Sequence, residues 1–235
     1  TERDDFRPRV HDSQGLQALT AAGEWIWRPL INPEHFRVTQ LRDTDPARFG
    51  LLQRDRDFAS YLDREADYHR RPSYWVVPVG DWGTGGVELV EIPTETETND
   101  NIVAYWAPDD PLRAGEHRHY AYRLDVVDAV VPEQAGLARV ERTHTGWAAT
   151  PGSSDPPPRR ERRFVVDFRG DALAEVRTGE VGDVRVAALP DGPAYRVTFR
   201  LRPEEGEPAD MRAVLRDGDE PVSETWNFVW YPDEL

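Results

Sequence analysis

Two apolar-rich runs, Val87-Glu88-Leu89-Val90-Glu91-Ile92 and Ile102-Val103-Ala104-Tyr105-Trp106, flank the polar segment Thr94 to Asn101. Runs of this length rich in Val, Ile and aromatics read as β-strands. Val87, Leu89 and the aromatic end of the second run form an inward face, which places the connector at a sheet rim. It carries Glu95, Glu97 and Asp100, with no Lys or Arg among them to neutralise the cluster. Like charges held together disfavour full ionisation, so the spacing predicts that one carboxyl stays protonated near neutral pH and serves as a general acid. The plain alternative is a solvated acidic turn.

The same short-strand pattern recurs along the chain. Gly23 to Leu30 alternates, with Trp25 and Trp27 on one face and Glu24, Ile26 and Arg28 on the other. Asn32-Pro33 turns the chain into a strand at Arg37 to Leu41, and further strands are expected at Phe49 to Arg54 and His119 to Val126. Asp12 precedes the first hairpin in a loop, where aspartate is common because its side chain bonds the backbone. Between Arg54 and Pro72 the chain is heavily charged. That segment reads as a solvated face with one helical turn near Asp57 to Leu62, anchored by Phe58, Tyr61, Leu62 and Tyr68. Gly80 to Gly86 is glycine-rich, but its spacing fits no phosphate loop and no helix follows. His117 and His119 lack a third ligand nearby, so no metal site is expected.

Pro132-Glu133-Gln134-Ala135-Gly136 marks the best boundary, giving units 1–134 and 135–235. Beyond it, Leu137 to His144, Phe164 to Phe168, Val184 to Leu189, Ala194 to Leu201, Met211 to Arg216 and Thr225 to Trp230 read as short strands between Gly/Pro turns. That rhythm describes an immunoglobulin-like sandwich. A Pro/Gly/Ser-rich loop from Gly146 to Arg162, opened by Trp147, is long enough to be a lid.

Composition narrows the function. The chain has 235 residues and no cysteine, which excludes a disulfide framework, a thiolate metal site and a cysteine nucleophile. Its 44 acidic residues against 29 basic ones give a net charge of -15, arguing against nucleic acid or an anionic membrane as partner. All the basic residues are arginine. No apolar run approaches the roughly 20 residues that a membrane span needs. Thr1 to Phe6 is charged and reads as mid-protein, so an export signal is expected outside this sequence. Eight Trp and eight Tyr in so hydrophilic a chain suit a carbohydrate cleft, where sugar faces stack on rings. Core packing is the competing use of each ring.

Several long words fit one family: Arg7-Pro8-Arg9-Val10-His11-Asp12-Ser13, Gly23 to Leu30, Phe49-Gly50-Leu51-Leu52-Gln53-Arg54, Arg71-Pro72-Ser73, Val87 through Trp106, Phe164 to Phe168 and Ser223-Glu224-Thr225-Trp226. Through these the chain resembles the C-terminal half of the periplasmic glucan biosynthesis proteins G and D. The resemblance implies an all-β protein: the C-terminal part of a large antiparallel β-sandwich with a carbohydrate cleft, followed by an immunoglobulin-like domain. It implies an inverting glycoside hydrolase or transglycosylase acting on β-1,2-glucan in the periplasm, without cofactor or metal. The implied partners are a β-glucan oligosaccharide or polysaccharide and the missing N-terminal half, in the same or a separate chain. A homodimer is admitted.

Carried onto this sequence, the acid of the family matches Asp100 and its base Asp12. Tyr68 and Glu97 fall beside the acid and would pass its proton through a substrate hydroxyl, with Glu97 raising the pKa of Asp100. Arg71, Trp27, Trp82, Trp106 and Trp147 are candidates for sugar contacts. An inverting pair is expected roughly 6.5–9.5 Å apart, or farther with a hydroxyl relay. The alternative function is a non-catalytic glucan-binding scaffold that assists a membrane glucosyltransferase.

Overall fold

Alternating apolar and polar residues are realised almost everywhere as short antiparallel strands. A computed structural model of the chain describes residues 6–128, 134, 136–150, 152, 154–170, 179–181, 184–202 and 207–231. The helices with described bounds are two single turns, Phe58–Ser60 and Tyr68–Arg70. The fold is all-β, as expected. Chain contacts divide it into units Thr1–Glu133 and Gln134–Leu235. Pro132, Glu133 and Ala135 of the expected break lie outside the described residues, as do Pro151 and Ser153 of the expected lid.

The first unit holds β1 (Gly15–Leu19), β2 (Trp25–Pro29), β3 (Arg37–Thr44), β4 (Arg48–Leu52), β5 (Ser73–Val79), β6 (Thr84–Glu91), β7 (Ile102–Pro108) and β8 (Ala121–Val127). Five of these form one sheet in the order β2-β1-β4-β5-β8, and β3-β6-β7 form a second. Alternation sends Leu16, Ala18, Ile26 and Phe49 from the first sheet against Val87 and Leu89 from the second, with Leu41, Ile102, Ala104 and Trp106 packed around them. Full burial of each large apolar side chain is worth about 1.5–3 kcal/mol. Gly50 lets β4 and β5 approach: a Cβ there would lie 1.9 Å from the Tyr74 carbonyl oxygen.

Within the core, Arg28 of β2 donates to Glu91 of β6 at 3.1 Å, both side chains at most 1% exposed. The other Glu91 oxygen accepts the Ile31 amide at 2.8 Å, and Arg28 also donates to the Pro29 carbonyl at 2.6 Å. The β5–β8 register pairs Tyr74 with Val126, Val76 with Leu124 and Pro78 with Tyr122, so six apolar side chains share one face. Tyr74, Tyr122, Leu124 and Val126 are exposed, because the five-stranded sheet is wider than the three-stranded one.

The second unit holds β9 (Arg139–Trp147), β10 (Arg162–Arg169), β11 (Gly179–Val181), β12 (Val184–Ala188) and β13 (Ala194–Leu201), in the order β11-β12-β13-β10-β9. β14 (Ala209–Ala213) pairs with β17 (Thr225–Trp230), and β15 (Arg216–Asp217) with β16 (Glu220–Pro221). Phe164, Val166 and Phe168 of β10 are fully buried. Phe164 stacks on Phe199 at 5.3 Å and meets Trp226 and Phe228 of β17 at 6.3 and 6.0 Å.

Two sequence expectations need correction. β1, β5, β11 and the β15–β16 hairpin were not anticipated: Gln17 of β1 is polar yet fully buried, and the hairpin strands are two residues each. The helical turn expected near Asp57 is present as a single tight turn, capped by the Asp57 side chain accepting the Ala59 amide at 3.0 Å. The charged segment 54–72 is not merely a solvated face, since Tyr61, Asp63 and Tyr68 are buried in it. Removing one partner of a buried ion pair strands the other charge, so Arg28→Met should lower the unfolding free energy by about 3–5 kcal/mol. Denaturant unfolding checks this, and a loss below about 1 kcal/mol counts against Arg28–Glu91 as the tie between the sheets.

Candidate active site

The connector from β6 to β7 is fastened at its root by two asparagines. Asn32 Nδ2 donates to the Thr94 carbonyl at 2.7 Å while its Oδ1 accepts the Thr94 amide at 3.1 Å. Asn101 closes the base, its carbonyl accepting the Ile92 amide at 2.8 Å and its Nδ2 donating back to the Ile92 carbonyl at 3.0 Å. Thr94 Oγ1 accepts the Thr96 amide at 3.2 Å and Asn99 Nδ2 at 3.4 Å, which curls the loop that carries Glu97 and Asp100.

Glu97 does not belong to an unneutralised acidic cluster. Arg7, 90 positions earlier, forks onto both of its oxygens at 3.0 and 2.6 Å. The same Arg7 Nη1 donates to Asp63 at 2.7 Å, and Asp63 in turn accepts the amides of Glu65 and Ala66 at 2.7 and 2.8 Å. Tyr68 donates its hydroxyl proton to Glu97 Oε1. The Arg7 guanidinium first, then the Tyr68 hydroxyl, holds the Glu97 carboxyl below the usual carboxylate range. Arg7 and the two amides do the same for Asp63. Burial, reinforced by the Glu97 carboxylate, pushes the Tyr68 phenol up, so it remains a proton donor. Glu97 is therefore an anion anchored by Arg7.

Tyr68 is set by its turn. Asp67 before it adopts the left-handed conformation at φ 50°, and Gln53 Nε2 donates to the Tyr68 carbonyl at 3.2 Å. Arg71 donates from Nε to the Ala66 carbonyl at 3.0 Å, with its guanidinium carbon 5.4 Å from the centre of the Tyr68 ring. The Asp12 segment is likewise fastened: Arg9 pairs with Asp55 at 2.8 Å, Gln53 Nε2 donates to the His11 carbonyl at 2.8 Å, and Gln14 Oε1 accepts the Arg54 and Asp55 amides at 2.8 and 2.5 Å. Asp12 and Asp100 are both exposed, and among the described residues neither makes a hydrogen bond or an ion pair. Asp12 lies five residues after Arg7, and Asp100 three after Glu97.

Tyr68, Glu97 and Arg71 are thus brought together, and the Asp12 and Asp100 segments are joined through Arg7. Two of the tryptophans expected at the sugar are buried among their own neighbours in this unit. Trp27 is 4% exposed, its ring filling the space a Cβ on Gly15 would need and lying under the Arg54 guanidinium at 3.5 Å. Trp82 is 9% exposed, against Phe49, Trp106 and Tyr120, with Nε1 donating to the Ala121 carbonyl at 3.1 Å. Both rings serve packing. Trp106 is half-buried at the border of the same core. Trp147 belongs to the second unit, where Nε1 donates to the Pro157 carbonyl at 3.1 Å and Arg159 covers the ring at 4.1 Å. Arg7 and Asp63 were not singled out from sequence. The only signal was that Arg7 opens the word containing Asp12.

Fold and site define an all-β, two-unit protein whose rim connector presents carboxylates beside a buried, anion-bound tyrosine. The chain belongs to the family described as "Periplasmic glucan biosynthesis protein, MdoG", whose model matches residues 1–230. It is 43% identical to the Glucans biosynthesis protein G of Shewanella baltica strain OS155, over 97% of this chain and 43% of that protein. To the Glucans biosynthesis protein D 2 of Ralstonia nicotianae it is 44% identical, over 97% of this chain and 44% of the relative. The chain therefore spans less than half the length of these curated relatives. Among the described residues, no helix is long and apolar enough to cross a membrane.

The lowered carboxyls of Glu97 and Asp63 give the site a pH dependence of definite sign. A depressed carboxylate contributes stability above its unfolded value, near pH 4 to 4.5, and loses it as the pH falls through the lower folded value. Glu97 is more than a third exposed, so solvent screens its share. Thermal unfolding midpoints should fall below about pH 4, and less steeply in Glu97→Gln than in wild type. Parallel acid limbs would count against the Arg7–Glu97 pair as a contributor.

Proposed function

We propose that this chain carries the catalytic carboxylates of an inverting glycoside hydrolase or transglycosylase that acts on β-1,2-glucan in the periplasm, within glucan biosynthesis. The observation that carries the reading is the Tyr68–Glu97–Arg7 chain of hydrogen bonds, which gathers the Asp100 connector and the Asp12 segment around one buried phenol. Family membership supplies the substrate class. In this reading Asp100 is the general acid and Asp12 the base that activates water, or a sugar hydroxyl, on the opposite face of the ring. Asp100 and Asp12 are exposed and make no hydrogen bond among the described residues, which leaves them available to engage substrate. Glu97, ionised, orients the Tyr68 hydroxyl toward a substrate hydroxyl that relays the acid's proton. Arg71 supplies a charged donor beside the phenol. The acidic, Arg-only surface suits a neutral polysaccharide better than an anionic one.

The reading also includes the additional length that the relatives carry. An apolar face made by Tyr74, Val76 and Pro78 with Tyr122, Leu124 and Val126 is the kind of surface that further sandwich strands cover. We therefore propose that the length these relatives carry beyond the match, in the same or a separate chain, is the partner that completes the cleft.

The deciding experiment incubates the full-length protein with linear β-1,2-glucan and follows product size and anomeric form. Asp100→Asn and Asp12→Asn should each lower turnover by roughly 10²–10⁴ while glucan affinity stays within a few-fold. Near-normal cleavage by Asp100→Asn overturns the assignment. Glucan binding without any cleavage by wild type would instead favour the scaffold that assists a glucosyltransferase.

A further inference from the structure

One guanidinium serves both segments that carry the candidate acid and base. Arg7 lies upstream of Asp12 on the fastened segment 7–14, and its fork occupies both oxygens of Glu97 on the Asp100 connector. The orientation of that fork is itself fixed. Nη1 also donates to Asp63, which is 3% exposed and cannot swing away because it accepts the Glu65 and Ala66 amides. Those amides lead directly into the turn that presents Tyr68. Four residues from three separate stretches of chain thus form a closed circuit in which Asp63 sets Arg7, Arg7 sets Glu97, and Glu97 accepts the hydrogen bond of the Tyr68 hydroxyl.

We infer that Arg7 and Asp63 are positioning residues: together they fix the Glu97 carboxylate toward the Tyr68 hydroxyl and clasp the Asp100 connector to the Asp12 segment. The catalytic part of this inference rests on the proposed roles of Asp100, Asp12, Tyr68 and Glu97; the clasp itself does not. Without Arg7, Glu97 would be a carboxylate on an exposed loop, tethered among the described residues through Tyr68. Lysine cannot replace the fork. Its ammonium is a point charge, whereas the planar guanidinium meets three carboxylate oxygens on two residues at once.

The test uses the full-length protein in five forms: wild type, Arg7→Met, Arg7→Lys, Asp63→Asn, and Arg42→Met as a control. Arg42 makes an exposed fork with Asp109 in the same unit, away from the circuit. Steady-state kinetics on linear β-1,2-glucan and hydrogen exchange without sugar are read in parallel. A displacement of about 1 Å at a reacting group costs roughly 100-fold, so Arg7→Met should lower kcat by about that factor with KM within about threefold. Arg7→Lys and Asp63→Asn should each lose about tenfold. Exchange in peptides covering 92–101 and 63–71 should rise at least about fivefold in Arg7→Met, while 84–91 is unchanged and Arg42→Met matches wild type throughout. If wild type cleaves glucan and Arg7→Met turns over normally, the positioning role is overturned. If wild type leaves glucan uncut, the catalytic reading has failed and exchange alone judges the clasp. Faster exchange in both peptides then upholds it, and unchanged exchange overturns it.

Discussion

The first unit depends on a charge pair in the place least hospitable to charge. Arg28 and Glu91 meet between the two sheets, where desolvation costs several kcal/mol per ion and only good geometry with further hydrogen bonds offsets it. Those bonds exist: Glu91 also accepts the Ile31 amide, and Arg28 also reaches the Pro29 carbonyl. A purely apolar contact would hold the sheets together as well, but without specifying register. Glu91 is the last residue of β6, and Ile31 adjoins the Asn32 that grips Thr94. The ion pair therefore locates both sides of the connector's root. Arg7 performs the corresponding task nearer its tip.

Arginine without lysine fits this architecture. Arg7 on Glu97, Arg42 on Asp109, Arg123 on Asp125 and Arg196 on Asp167 are two-pronged forks. An ammonium cannot make such contacts. Their value differs with burial. Arg42–Asp109 and Arg123–Asp125 are solvent-exposed and contribute little to stability, whereas Asp167 is 2% exposed and its fork fixes cross-strand geometry between β10 and β13. With acidic residues in excess, carboxylates such as Asp12 and Asp100 make no ion pair among the described residues. That surplus is what allows a site of exposed acids beside a rigid, fully paired network.

Much of the fold was legible because strand alternation is a local property. β6, β7, β10, β13 and β17 follow from runs whose apolar residues repeat every second position, and the inward assignment of Val87 and Leu89 needed nothing else. Where a strand contains a buried polar residue, as β1 does at Gln17, composition is a weak guide and pairing with β2 and β4 decides. The tryptophans show the same limit. Each ring suits a sugar face or a core equally well on its own, and only the packing of Gly15 and Arg54 on Trp27, and of Phe49 and Tyr120 on Trp82, assigns them to the interior.

Sequence by itself determined the all-β class, the rim connector with its acidic residues, and the family to which the words around Asp12 and Asp100 belong. These are encoded in short windows, where side-chain period and turn chemistry act between neighbours. Tertiary structure alone decided the charge state of Glu97 within that connector. Within Thr94 to Asn101 no cation is present, and Glu97 read in isolation belongs to a cluster of repelling acids. Folding brings in Arg7 from 90 positions away and Asp63 from 34, and converts Glu97 into an anchored anion facing a buried phenol. Coulomb attraction and hydrogen bonding act over a few ångströms of space, whatever the separation along the chain, so no local pattern could have carried that information.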